Sequence, residues 1–245
     1  MTGAAAQHWD QQVVLERLTR ARMESYLRAA GGGLGPAFAR YEWNVDVSAA
    51  FLGVVGSAEV VVRNALDAQL SAWARARHGE ETWFDVLPLD VQGRATLTKA
   101  RDRASGRGRR PESAGRVIAE LPLGFWRYLV AVRYLTTLWV PALHAAFRDG
   151  PADLRARRRL VERHLDRLHF LRNRVAHHEP VHRRDLLADH RAALELVGWA
   201  CPDSSAWLAA RSTVEAAVER RPSRPGPQGR TRATGGGPAC RSGSG

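Results

Sequence analysis

The chain has 245 residues, 44% of them hydrophobic, with eight tryptophans. That is enough to bury a core and excludes a wholly disordered chain or a disulfide-stapled mini-protein. Thirty-seven Lys and Arg against 25 Asp and Glu give a formal charge of +12, which points to an acidic partner, nucleic acid first. Lys99 is the only lysine, and Arg221, Arg224, Arg230, Arg232 and Arg241 sit in a tail without acidic residues, so part of the charge is the compositional habit of a GC-rich coding sequence. Cys201 and Cys240 have no metal-ligand spacing, so no disulfide framework or metal cluster is expected and a reducing cytoplasm is the default compartment. Met1 to Asp10 carries neither a basic leader nor an apolar run, and no signal peptide is expected.

In chain order the sequence reads as helix after helix. Val14, Leu15, Leu18 and Met23 predict a first helix ending at Gly31-Gly32-Gly33. Pro36 opens a short segment with Phe38, Tyr41 and Trp43, and Asp46 or Ser48 is the expected cap of a long helix. In that helix Phe51, Val55, Ala58, Val62, Ala65, Leu66 and Trp73 recur at three- and four-residue steps, and Gly79 is the expected stop. Two weaker helices fall at roughly 89–103 and 112–120, either side of a basic loop, Ser105 to Pro111. Phe125 to Phe147 follows with a break at Pro141. The apolar stretch Leu129 to Phe147 is interrupted by Arg133, Pro141 and His144 and reads as core, not as a membrane span. After the turn Asp149-Gly150-Pro151 come helices at about 152–176, 183–200 and 204–220, the last capped by Asp203 or Ser204. No stretch alternates as a half-buried strand does. The expected fold is therefore all-α, with about eight helices over residues 11–221, a flexible N-terminus (1–10) and a disordered Pro/Gly/Arg tail (222–245).

The segment Leu171 to Pro180 carries most of the chemistry. At about 100° per residue, Leu154, Val161, Leu165, Leu168 and Val175 fall on one stripe, and Arg172 lies near its middle. A guanidinium there needs a carboxylate, carbonyls, or a cleft open to a phosphate. Glu59 is an available acid, so a buried ion pair and a phosphate contact both remain open. Asn173 and His177, four apart, share another side of the helix, and Pro180 should end the helix close to His177. Arg172 and His177 are about 140° apart around a straight helix, so they meet at one small ligand only if the helix end bends away or if two subunits each contribute one. Glu59 and Arg63 form a predicted i,i+4 ion pair beside Asn64, on the border of the long helix's apolar face. Six of the nine histidines cluster between His164 and His190, but Pro180 lies inside the one helical pair, His178 and His182, and no metal motif is present. His164 and His169 are expected to be surface or packing residues.

Four segments in order carry a family resemblance: Tyr41-Glu42-Trp43-Asn44 with Ser48; Glu59 to Arg63-Asn64; Leu121-Pro122-Leu123-Gly124-Phe125-Trp126; and Arg172-Asn173-Arg174-Val175-Ala176-His177-His178-Glu179-Pro180. Together they resemble the Abi-like family of abortive-infection proteins, within the HEPN superfamily of all-α ribonucleases and nucleotide-associated domains. The resemblance spans roughly residues 11–222. It implies a HEPN-like helical bundle that works as a homodimer on RNA in the cytoplasm, without metal or other cofactor and without a membrane, as a toxin-type effector of phage defence, with an antitoxin or other regulatory partner a further candidate. On that likeness Arg172 and His177 match the family's arginine–histidine motif, with Asn173 as its polar second position. His178, Glu59, Arg63 and Asn64 are candidate supporting residues. The alternative that the superfamily carries is a module that binds RNA or a partner without cutting.

Overall fold

The computed structural model describes residues 9–223, so the expected flexible N-terminus and disordered tail lie outside the described residues except at their inner ends. All regular structure among the described residues is helical. The described residues divide into two compact units, one comprising residues 9–40 and 222–223, the other Tyr41–Arg221.

The first unit contains α1 (Gln11–Leu18), α2 (Arg20–Ala29) and the first turns of α3 (Leu34–His78). The single helix predicted here is broken at Thr19, whose φ of 69° stops α1. Its hydroxyl then accepts from Arg22 N at 3.3 Å and caps α2. Gly31 (φ 64°) and Gly32 (φ 88°) end α2 as expected, because left-handed backbone is open to glycine without a Cβ penalty.

The start of α3 differs from expectation. Neither Asp46 nor Ser48 caps it, since both lie inside one unbroken helix of 45 residues. Pro36 sits in its first turn, where a missing N–H leaves no helical bond unmade. Gly79 (φ 71°) does end it, donating its N–H to Arg75 O at 3.2 Å. By length and composition α3, and not Leu129 to Phe147, is the described helix apolar enough to cross a membrane, with a mean hydropathy of 1.8 over 18 residues. One face of that stretch is core: Val47, Phe51, Val54, Val55, Ala58 and Val62 are all buried.

In the second unit the rest of α3 shares one core with the elements that follow it, among them α4 (Val91–Ala104), α5 (Ala114–Glu120), α6 (Leu123–Leu129), α7 (Leu154–Ala176), α8 (Leu186–Ala200), α9 (Pro202–Arg211) and α10 (Val214–Glu219). Asp90 caps α4 and Asp153 caps α7 through their carboxylates. The helix predicted from Phe125 ends well before Pro141. The chain turns extended at Ala131, and 132–147 is a series of short 3-10 and π turns. The Val130 carbonyl, which would otherwise accept a helical bond, receives Arg158 Nη1 at 2.9 Å. The predicted last helix is likewise two. Pro202 opens α9, and Ser212-Thr213 separates it from α10. These two divisions raise the number of α-helices among the described residues to ten, against the expected eight or so.

Candidate functional site

Helix α7 carries the Arg-Asn…His motif at its C-terminal end. Its buried residues are Arg157, Arg158, Val161, Leu165, Leu168, Leu171 and Val175. Toward the C-terminus the buried face therefore rotates to Leu171 and Val175, and Arg172 falls at its edge. The expectation of a guanidinium in the middle of the seam is corrected accordingly: the Arg172 side chain is 42% exposed. The arginines of α7 that do lie in the core are Arg157 and Arg158. Both are satisfied, Arg157 by the carbonyls of Pro151, His144 and Gly150, Arg158 by the Val130 carbonyl and by Glu162 at 2.7 Å.

Arg172 is held loosely. Its Nε lies 4.0 Å from Glu59 Oε2 on α3, and its guanidinium makes no hydrogen bond among the described residues. A half-exposed pair at that distance contributes at most about 1 kcal/mol. The predicted Glu59–Arg63 pair is not formed; Glu59 turns to Arg172 instead, and the buried Arg63 Nε finds no hydrogen-bond partner. Asn64 is exposed and touches none of these groups.

An imidazole within reach of the Arg172 charge is that of His169, a residue expected only to pack. Asn173 Nδ2 lies 3.4 Å from its Nε2, and a Cβ on Gly124 would meet that same nitrogen at 3.2 Å. The Leu121–Trp126 segment thus lies against the motif helix, and only a residue as small as glycine leaves the ring its place. The i,i+3 and i,i+4 spacing of His169 to Arg172 and Asn173 was the available signal. Burial, then the charges of Arg127 and Arg172, push the His169 imidazole below the ordinary 6.5. Burial also heads the causes that lower His144, His164 and His190. An unfolded histidine takes up a proton more readily than these folded ones, so stability rises with pH through the range just below 6.5 and is fully present above it. Melting temperatures measured from about pH 5 to 8 should climb and then level off; a flat profile would contradict the assignment.

Beyond Ala176 the helix closes as Pro180 predicts. His177 is the cap, its N–H donating to Asn173 O at 3.0 Å; His178 N donates to Val175 O at 3.2 Å and Glu179 N to Arg174 O at 2.7 Å. This is a complete Schellman closure with His178, at φ 55°, in the left-handed position that usually belongs to glycine. Both His177 and His178 are exposed. Arg174 ties the turn from inside through the Pro180 carbonyl at 3.1 Å, and the buried Asn44 side chain accepts from Val181 N at 2.8 Å. Trp43 donates to Ala217 O at 2.7 Å, while Arg221 lies over its ring and donates to His182 O. The Trp43-Asn44 pair thus fastens the turn that presents the two histidines. Replacing His178 by Gly should stabilise the fold by about 0.5–1 kcal/mol in urea unfolding, since the backbone strain is relieved.

Among the described residues no hydrogen bond or ion pair joins the Arg172 guanidinium to the His177 ring. On the exposed face about two turns before His177, Phe170 is flanked by Arg174 at 5.3 Å and Arg184 at 4.7 Å. Buried Asp189 fixes Arg184 by two bonds of 2.6 and 2.8 Å, and Arg167 by one of 3.0 Å. An exposed aromatic ring framed by arginines suits the stacking of a nucleobase. Among the described residues no three His, Cys, Asp or Glu side chains are grouped to hold a metal.

Comparison with known proteins finds no matching family model, curated protein or solved structure.

Proposed function

We propose that this chain is a metal-independent endoribonuclease of the HEPN type, an Abi-like homodimer acting on RNA in the cytoplasm as an abortive-infection or toxin effector. The observation that carries the reading is the state of Arg172. It is 42% exposed, loosely held by Glu59, and lies on the same helix end that presents His177. A cation so placed is available to a phosphodiester. Its neighbours Arg174 and Arg184 are instead committed to carbonyl, carboxylate and ring.

The chemistry proposed is transesterification. The ribose 2′-oxygen attacks the adjacent phosphorus, the bond to the 5′-oxygen breaks, and a 2′,3′-cyclic phosphate and a 5′-hydroxyl result. Arg172 offsets the charge that builds on the non-bridging oxygens, and His177 shuttles the proton, taking it from the 2′-hydroxyl and returning it to the departing 5′-oxygen. Asn173, lightly bonded to His169, orients the phosphate. Because Arg172 and His177 face different ways on one helix, the site takes Arg172 from one copy and His177 from the other. An antitoxin or similar regulator is a candidate partner.

The framed Phe170 favours one alternative, a module that binds RNA without cutting it. Purified protein incubated with end-labelled RNA in EDTA separates the two. Cyclic-phosphate products from wild type support the enzyme. Retention of RNA with no product from any substrate tested supports the binding module.

A further inference from the structure

The outward face of α3 is apolar and bare. Val45, Leu52 and Val60 are 49%, 45% and 42% exposed, and Ala49, Gly53 and Gly56 lie between them. A Cβ placed on Gly53 or Gly56 would meet nothing within 4 Å. Large aliphatic side chains seven and eight residues apart, with small residues between them at three- and four-residue steps, are what a helix shows where another helix comes close.

The order of residues along this stripe identifies the second helix. Counting outward from the peptide bond between Leu52 and Gly53, Ala49 stands opposite Gly56, Val45 opposite Val60, and Glu42 opposite Arg63. The stripe is therefore its own complement when turned end for end, small residue to small, valine to valine, acid to base. By helix geometry all eight positions lie within about 50° of one line. The equidistant carboxylates Asp46 and Glu59 lie about 70° to opposite sides of it and would not meet. Glu42 is exposed, and Arg63 has a buried Nε with no hydrogen-bond partner among the described residues.

We infer that this face docks a second copy of the chain, α3 against α3, antiparallel about a two-fold axis passing beside Leu52 and Gly53, with Glu42 of each copy beside Arg63 of the other. The inference deepens the two-subunit part of the ribonuclease reading and rests on that reading only for its consequence. A two-fold axis leaves equivalent residues on the same flank, so both Glu59–Arg172 pairs come to one side of the helix pair.

The oligomeric state needs no RNA to be measured, so failure of the interface and failure of the nuclease reading are distinguishable. Sedimentation velocity of the full chain should show a dimer. Glu42→Arg and Arg63→Glu should each raise its dissociation constant about tenfold or more, because each places two like-charge contacts across the axis, and the double exchange should restore it. In a Cys201→Ser, Cys240→Ser background, Gly53→Cys should cross-link between copies on mild oxidation. Val45→Cys should not, its two copies being about 20 Å apart along the seam. A monomer at every concentration, a dimer indifferent to both single reversals, or cross-linking at position 45 and none at 53 would overturn the interface, whatever the RNA assays show.

Discussion

Arg172→Ala should abolish RNA cleavage, lowering the rate at least 100-fold, while leaving the melting temperature within about 2 °C of wild type. The two halves of that expectation have separate physical causes. The activity falls because a cation aimed at developing phosphate charge contributes about 3–4 kcal/mol in a preorganised site. The fold persists because the side chain is 42% exposed and its one ion pair, at 4.0 Å, holds little. Glu59 becomes an uncompensated, mostly buried carboxylate, which sets the small stability loss expected. Arg172→Lys keeps the charge but loses the planar fork, and should recover only part of the activity. A variant that stays active, or one that unfolds, would show that Arg172 has a structural role instead.

Asp189→Ala should produce the largest loss of stability of any single surface-proximal substitution near the motif, about 2–3 kcal/mol. The carboxylate is almost wholly buried, its side chain 1% exposed, whereas Arg167 and Arg184 are 37% and 25% exposed. Removing it leaves two guanidiniums side by side without their counter-charge, a mechanism that costs about 3–5 kcal/mol for fully buried partners and less here because both can reach water. In a chain of this size each kcal/mol moves the melting point by about 2–4 °C, so a fall of roughly 5–10 °C is expected. Asp189→Asn keeps two acceptor lone pairs and should lose less. RNA binding should weaken in both variants, since Arg184 is released from Phe170. A change under about 0.5 kcal/mol would contradict this account of Asp189.

Much of the helical order was legible because its signals are local. Gly31-Gly32 and Gly79 end helices through their positive φ, and Pro180 closes α7 at His177. What was not legible depends on partners distant in sequence. Asp46 and Ser48 look like caps until one sees that the residues before them already continue the helix from Leu34. The break at Ala131 has no local cause in Val130 or Ala131; it accompanies the reach of Arg158 from α7 to the Val130 carbonyl. The periodicity of α7 put Arg172 in the core because it assumes a straight stripe. The buried face rotates instead, and the buried cations prove to be Arg157 and Arg158, satisfied by carbonyls that no pattern announces. Of the proposed site, the sequence marked Arg172, Asn173 and His177 and the acid Glu59. It missed His169, whose contact with Asn173 depends on the ring being wedged by Gly124 from another helix. It left Glu59 with two candidate partners, and the choice between Arg63 on its own helix and Arg172 on α7 is made by packing.

The most direct test of a site shared between copies is complementation. Arg172→Ala and His177→Ala chains carrying different tags are co-expressed, the mixed dimers are purified through both tags, and their RNA cleavage is compared with that of each parent variant. A mixed dimer holds one intact site and one doubly damaged one, so about half the wild-type rate should return although both parents are inactive. Wild-type cleavage with no recovery in the mixed dimer would contradict the shared site.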